Sequence, residues 1–62
     1  MKFSELIARA ADLIETRGRI TFRALQLEFE LDAERVEALR EELGFAYPQI
    51  SEIDGRGFEW RG

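Results

Sequence analysis

The side chains that could do covalent chemistry in this chain are Ser4 and Ser51, and neither has a base to activate it, because the sequence contains no histidine. It contains no cysteine either, so disulfides are excluded and a zinc site would have to be built from carboxylates alone. Glu41 and Glu42 are adjacent carboxylates, but neighbours on a helix point in different directions and cannot work as a paired acid and base. No glycine-rich turn opens a helix in the pattern that cradles phosphate. The expectation is a protein that is not an enzyme, with no catalytic residues, no metal ligands and no cofactor.

What remains is binding chemistry, and it is divided between two signs of charge. From Glu28 to Glu42 the acids Glu28, Glu30, Asp32, Glu34, Glu37, Glu41 and Glu42 face only Arg35 and Arg40. Such a surface repels a phosphate backbone. Part of it reads as a solvated helix face, with Glu37 and Glu41 flanking Arg40 and with Arg35 reaching Glu34 or Asp32. Leu27 is harder to absorb, because it falls off the apolar stripe of its own helix beside Glu28 and Glu30. Leu27, Glu30, Glu34 and Glu37 are therefore the candidate partner-binding residues, an apolar centre with an acidic rim suited to a basic partner.

The opposite sign gathers at Arg17, Arg19, Arg23 and Arg56, with Arg61 near the end. These four make the alternative case, a nucleic-acid-binding surface, although no lysine cluster and no glycine-aromatic RNA-binding motif accompanies them. The formal charge of −4 also disfavours binding dominated by phosphate neutralisation. The two patches together allow weak self-association, head to tail, between the acidic face of one copy and the arginines of another.

The elements that must position these residues are legible from periodicity and punctuation. Leu6, Ile7, Ala10, Leu13 and Ile14 give a helix over Ser4 to Arg17, with Ser4 as N-cap, Phe3 as a staple and Gly18 as the left-handed stop. Arg19 to Thr21 can add a short edge to a sheet. Thr21 then caps a second helix in which Phe22, Leu25 and Phe29 share a face, and Asp32 caps a third whose inner stripe is Val36, Leu39 and Leu43 and whose expected end is Gly44. Asp54-Gly55 between Tyr47–Ile53 and Gly57–Arg61 signals a hairpin, with Phe58 and Trp60 on its buried face and Glu59 and Arg61 on its wet one. Pro48 belongs at the start or edge of its strand.

Helix, short strand, helix, helix, strand, strand is the order of a winged helix-turn-helix. The predicted fold class is thus α+β, three helices with a small antiparallel sheet or wing, in a single domain over residues 1–62. A chain of this size buries only about 60% of its unfolded surface, so its seven aromatic residues carry much of the core. Glu5, Arg9, Asp12 and Glu15 interrupt the first apolar pattern, which predicts neither a signal peptide nor a membrane span and a soluble, cytoplasmic protein.

The run Arg17-Gly18-Arg19-Ile20-Thr21-Phe22-Arg23-Ala24-Leu25, the Leu31-Asp32 opening of a helix that closes on Glu41-Glu42-Leu43, and the ending Asp54-Gly55-Arg56-Gly57-Phe58-Glu59-Trp60-Arg61-Gly62 carry a resemblance that spans most of the chain. They resemble the small N-terminal domain of large bacterial adenylate/guanylate cyclase proteins that also carry ATPase and helical-repeat modules. The chain departs from that pattern at Gln26 and Leu27, where the family tends to be basic or polar. The resemblance implies a non-catalytic, winged-helix-like accessory domain of a signalling protein. The expected function is accordingly an interaction or regulatory module that binds a protein or a neighbouring domain, with a DNA-binding winged-helix transcription regulator as the alternative.

Overall fold

The computed structural model describes residues 2–62 and is an α+β fold: α1 (Phe3–Arg17), β1 (Arg19–Thr21), α2 (Phe22–Phe29), α3 (Ala33–Ala46), β2 (Ile50–Ile53) and β3 (Gly57–Trp60). The strands form one antiparallel sheet in the order β1-β3-β2. The short segment after α1 therefore does join the hairpin, with Ile20 opposite Phe58 on one side and Glu52 opposite Phe58 on the other.

Local chemistry sets most of the boundaries. Gly18 ends α1 at φ 85, and its N–H donates to the carbonyl of Ile14 at 2.7 Å. The Thr21 hydroxyl accepts from the N–H of Ala24 at 3.0 Å, and the Asp32 carboxylate accepts from the N–H of Arg35 at 2.8 Å, so both expected caps are made. In the hairpin, Asp54 and Gly55 both take positive φ, as a type I′ turn requires, and the N–H of Arg56 closes the turn onto the carbonyl of Ile53 at 3.0 Å.

Two boundaries differ from expectation. Ser4 does not cap α1: it lies inside the helix, because the N–H of Leu6 already donates to the carbonyl of Lys2 at 3.0 Å. Gly44 does not end α3, which runs on to Ala46. The stop is Pro48, which disfavours helical dihedrals at the residue before it and leaves Tyr47 extended at φ −121, ψ 91.

The core lies between the helices and one face of the sheet. Leu6, Ala10, Ala11 and Ile14 of α1 meet Leu25 of α2, Leu39 and Leu43 of α3, and Ile20, Ile50 and Phe58 from the sheet. Leu31, in the turn between α2 and α3, is buried with them, and its N–H donates to the carbonyl of Gln26 at 2.9 Å. Phe22 sets its ring edge-on to Phe58 with centroids 5.1 Å apart, and Trp60 packs half-buried at the margin. Among the described residues no polar or charged residue is buried, so nothing inside needs a compensating partner. No described helix is long and apolar enough to cross a membrane.

Candidate functional site

Leu27 is 68% exposed, and the reason is its angular position. At about 100° per residue it sits roughly 200° around α2 from Leu25, opposite the side chain that anchors this helix in the core. Arg23 and Glu30, four residues before and three after, are its neighbours on that outer face. Glu30 is itself the left-handed residue that closes α2, at φ 54.

Glu34 and Glu37 lie in the first half of α3 and are exposed, as are Leu27 and Glu30. The four do not share one depression. Glu30 lines a shallow hollow with Leu6, Phe29 and Arg35, towards α1. Glu37 lines a second with Ala38, Glu41 and Glu52, towards the sheet, and its carboxylate accepts from Arg40 at 2.8 Å. The predicted four are thus exposed to either side of the α2–α3 turn, with Glu37 already engaged by Arg40 and Arg35 held 3.9 Å from Asp32.

Sequence reasoning missed Phe45. It is 88% exposed on the last turn of α3, and it extends the outer stripe Glu34, Ala38, Glu41 at helical spacing. Phe3 is also exposed, so two of the aromatic residues expected to feed the core do not enter it. The signal for Phe45 was present: it falls about 240° from Leu39 on a helical wheel, off the Val36–Leu39–Leu43 stripe. That signal becomes readable only once the helix is carried past Gly44.

The structure brings Arg17, Arg19 and Arg56 together around one groove of about 370 Å³, with Ile20, Ala24 and Ile53 as its apolar lining and Asp54 also contributing. Arg23 is exposed at the start of α2 but does not line it. Two backbone bonds make the groove. The carbonyl of Arg56 accepts from the N–H of Phe22 at 2.7 Å, stitching the hairpin turn to the start of α2, and the carbonyl of Gly18 accepts from the N–H of Trp60 at 2.8 Å. Gly57 allows the first of these approaches, since a Cβ there would collide with the carbonyl of Ile20 and stand 2.7 Å from the Thr21 Cα. Among the described residues Arg17, Arg23 and Arg56 form no ion pair, whereas Arg19 lies 3.8 Å from Glu59, which Arg61 approaches at 3.4 Å.

Among the described residues Arg40 is the one arginine that is only partly exposed. Its guanidinium hydrogen-bonds Glu52 at 3.0 Å and Glu37 at 2.8 Å and lies 4.5 Å from the centroid of the Phe22 ring. The Glu52 hydrogen bond is the main cause that holds its pKa above the ordinary arginine value, with both carboxylates adding charge attraction. Glu52, Arg40, Phe22 and Phe58 thereby form a continuous stack that ties α3 to α2 and to the sheet.

Among the described residues, no group of three or more histidine, cysteine, aspartate or glutamate side chains is placed to hold a metal ion. Compared with known protein families, with curated proteins and with solved structures, the chain gives no match.

Proposed function

We propose that this chain is a winged helix-turn-helix domain acting as a non-catalytic interaction or regulatory module, with a protein or a neighbouring domain as its ligand. The observation that carries the reading is Leu27, turned away from the core it would otherwise serve, 68% exposed, and set between Arg23 and Glu30 on the outer face of α2. An apolar centre with a charged rim is the anatomy of a protein interface, and the acids orient a basic partner. The element order, the β1-β3-β2 sheet and the α2–turn–α3 pair support the winged-helix assignment. The resemblance to accessory domains of bacterial cyclase proteins supports a place in signalling.

Capture of partners from a bacterial extract on the immobilised parent and on Leu27→Ser tests the reading. A basic protein or protein segment retained by the parent and lost from the variant is the expected outcome. Identical captures from both would remove Leu27 from function and the proposal with it.

The arginine groove favours a second reading, a DNA-binding regulator that holds its duplex through Arg17, Arg19, Arg23 and Arg56. Such binding must weaken steeply as salt rises. Titration of labelled duplex at low salt therefore separates the two: micromolar binding abolished by added salt and by Arg19→Glu would replace the protein-ligand reading.

A further inference from the structure

The groove and the Phe45 end of α3 have complementary chemistry. One offers guanidinium groups around an apolar lining of Ile20, Ala24 and Ile53. The other offers an aromatic ring, 88% exposed, on the same helical turn as Glu41 and Glu42. Guanidinium groups take an aromatic face and a carboxylate together, by stacking and by paired hydrogen bonds. Arg40 against Phe22, Glu37 and Glu52 already shows this combination within the fold.

A chain cannot make this contact with itself. Phe45 precedes the turn that leads into β2 at Ile50, whereas the groove is lined by Ile53 and the hairpin turn beyond it. The two sites thus sit at opposite ends of β2, separated by at least about 10 Å of strand. We propose that the arginine groove of one copy receives the Phe45 end of α3 from a second copy, in a head-to-tail contact that leaves the first copy's Phe45 end and the second copy's groove free for further copies. Asp54, in the same groove, opposes phosphate and the incoming carboxylates alike, so the apolar lining and the exposed ring favour the second copy.

Such a contact uses one aromatic side chain and a few charges, so it falls in the small, transient class of interface. Both copies carry a net charge of −4, and their general repulsion is screened beyond about 10 Å at 0.1 M salt, while groups in contact still attract. Sedimentation equilibrium under those conditions, up to about millimolar protein, should give an average mass that climbs above 7.2 kDa with concentration. Phe45→Ser, Glu41→Arg and Arg56→Glu change exposed side chains and should each weaken association by about tenfold or more. Asp54→Asn keeps the turn chemistry, removes the opposing carboxylate and should strengthen it.

The decisive arm mixes Phe45→Ser with Arg56→Glu. Each variant keeps one intact half of the contact and their altered halves do not complement each other, so the mixture should form a capped pair and nothing larger. Leu27→Ser should leave all of this unchanged, which separates the proposal from the function assigned to Leu27. A parent that stays monomeric, a Phe45→Ser variant that associates like the parent, or a mixture that does not pair would each overturn it. Tight duplex binding lost on Arg56→Glu would also overturn it and give the groove to nucleic acid.

Discussion

Replacing Phe58 by alanine should unfold this protein at room temperature. Phe58 is 1% exposed, pairs across the sheet with Ile20 and Glu52, and meets the Phe22 ring edge-on at 5.1 Å. Truncating a buried phenylalanine costs about 3–5 kcal/mol, and a core of this size rarely supplies more than about 3–5 kcal/mol in all. The loss therefore matches the whole stability. Trp60, two residues on and on the same face, is only half-buried, so Trp60→Ala should cost less and leave a measurable transition. Far-UV circular dichroism through a urea titration reads both, and in Phe58→Ala the single tryptophan gives a second signal from β3 itself. A milder pair, Phe22→Leu and Phe58→Leu, should show a coupling of about 0.5–1.5 kcal/mol in a double-mutant cycle. If Phe58→Ala unfolds within about 1 kcal/mol of the parent, far below the cost of truncating a buried ring, the sheet is not part of the cooperative core and the assignment of Phe58 as its centre is wrong.

Gly44→Ala should stabilise the domain by about 0.5–1 kcal/mol in the same titration, because the residue lies inside α3 and a Cβ there meets nothing within 4 Å. Gly57→Ala should do the reverse and lower the melting temperature sharply, since the added Cβ meets backbone atoms of Ile20 and Thr21 that cannot step aside. Glu30→Gly should raise stability by up to about 1 kcal/mol by removing a left-handed glutamate, and should weaken any partner held by the acidic surface; a loss of stability would show that the Glu30 side chain contributes more than its strain costs. Arg40→Lys should lower the melting temperature and Arg40→Met lower it further, because lysine keeps the charge but not the planar fork that spans Glu37, Glu52 and Phe22. The pKa of Arg40 is raised, so its contribution is complete below the ordinary arginine value and should persist unchanged from neutral into moderately alkaline pH.

The elements whose ends are fixed by adjacent residues were legible in the sequence. Thr21 and Asp32 cap their helices, Gly18 stops α1, and Asp54-Gly55 turns the hairpin, each through bonds made within a few residues. Gly44 misled for a related reason: a glycine after a leucine stripe looks like a helix stop, yet the helix continues as long as its backbone bonds do, and Pro48 decides the matter four residues later. Contacts across elements were not legible. Nothing near Arg40 in the chain announces Glu52 or the ring of Phe22, which the sheet and α2 bring to it. The same holds for the groove: four arginines were visible as a group, but only the pairing of β1 with β3 and the hairpin turn brings three of them together and leaves Arg23 aside.

The division of charge constrains how any nucleic acid could be met. In a helix-turn-helix protein the second helix of the motif enters the major groove. On the proposed winged-helix reading that helix is α3, and its outer stripe carries Glu34, Glu41 and Phe45 with Glu37 alongside. A carboxylate about 4 Å from a phosphate is opposed by about 1 kcal/mol even in a water-like dielectric. With Glu37 already paired to Arg40, Glu34 and Glu41 together cost about 2 kcal/mol, roughly thirtyfold in Kd, before any favourable contact is counted. The groove lies at the far end of β2 from the last turn of α3, and the Glu52–Arg40–Phe22 contacts hold α3 against the sheet, so its arginines do not neutralise the carboxylates of α3. A duplex would have to approach through the hairpin turn and the start of α2 with α3 turned away. A basic or apolar protein surface faces no such penalty at α3, and the carboxylates that repel phosphate would there supply the attraction.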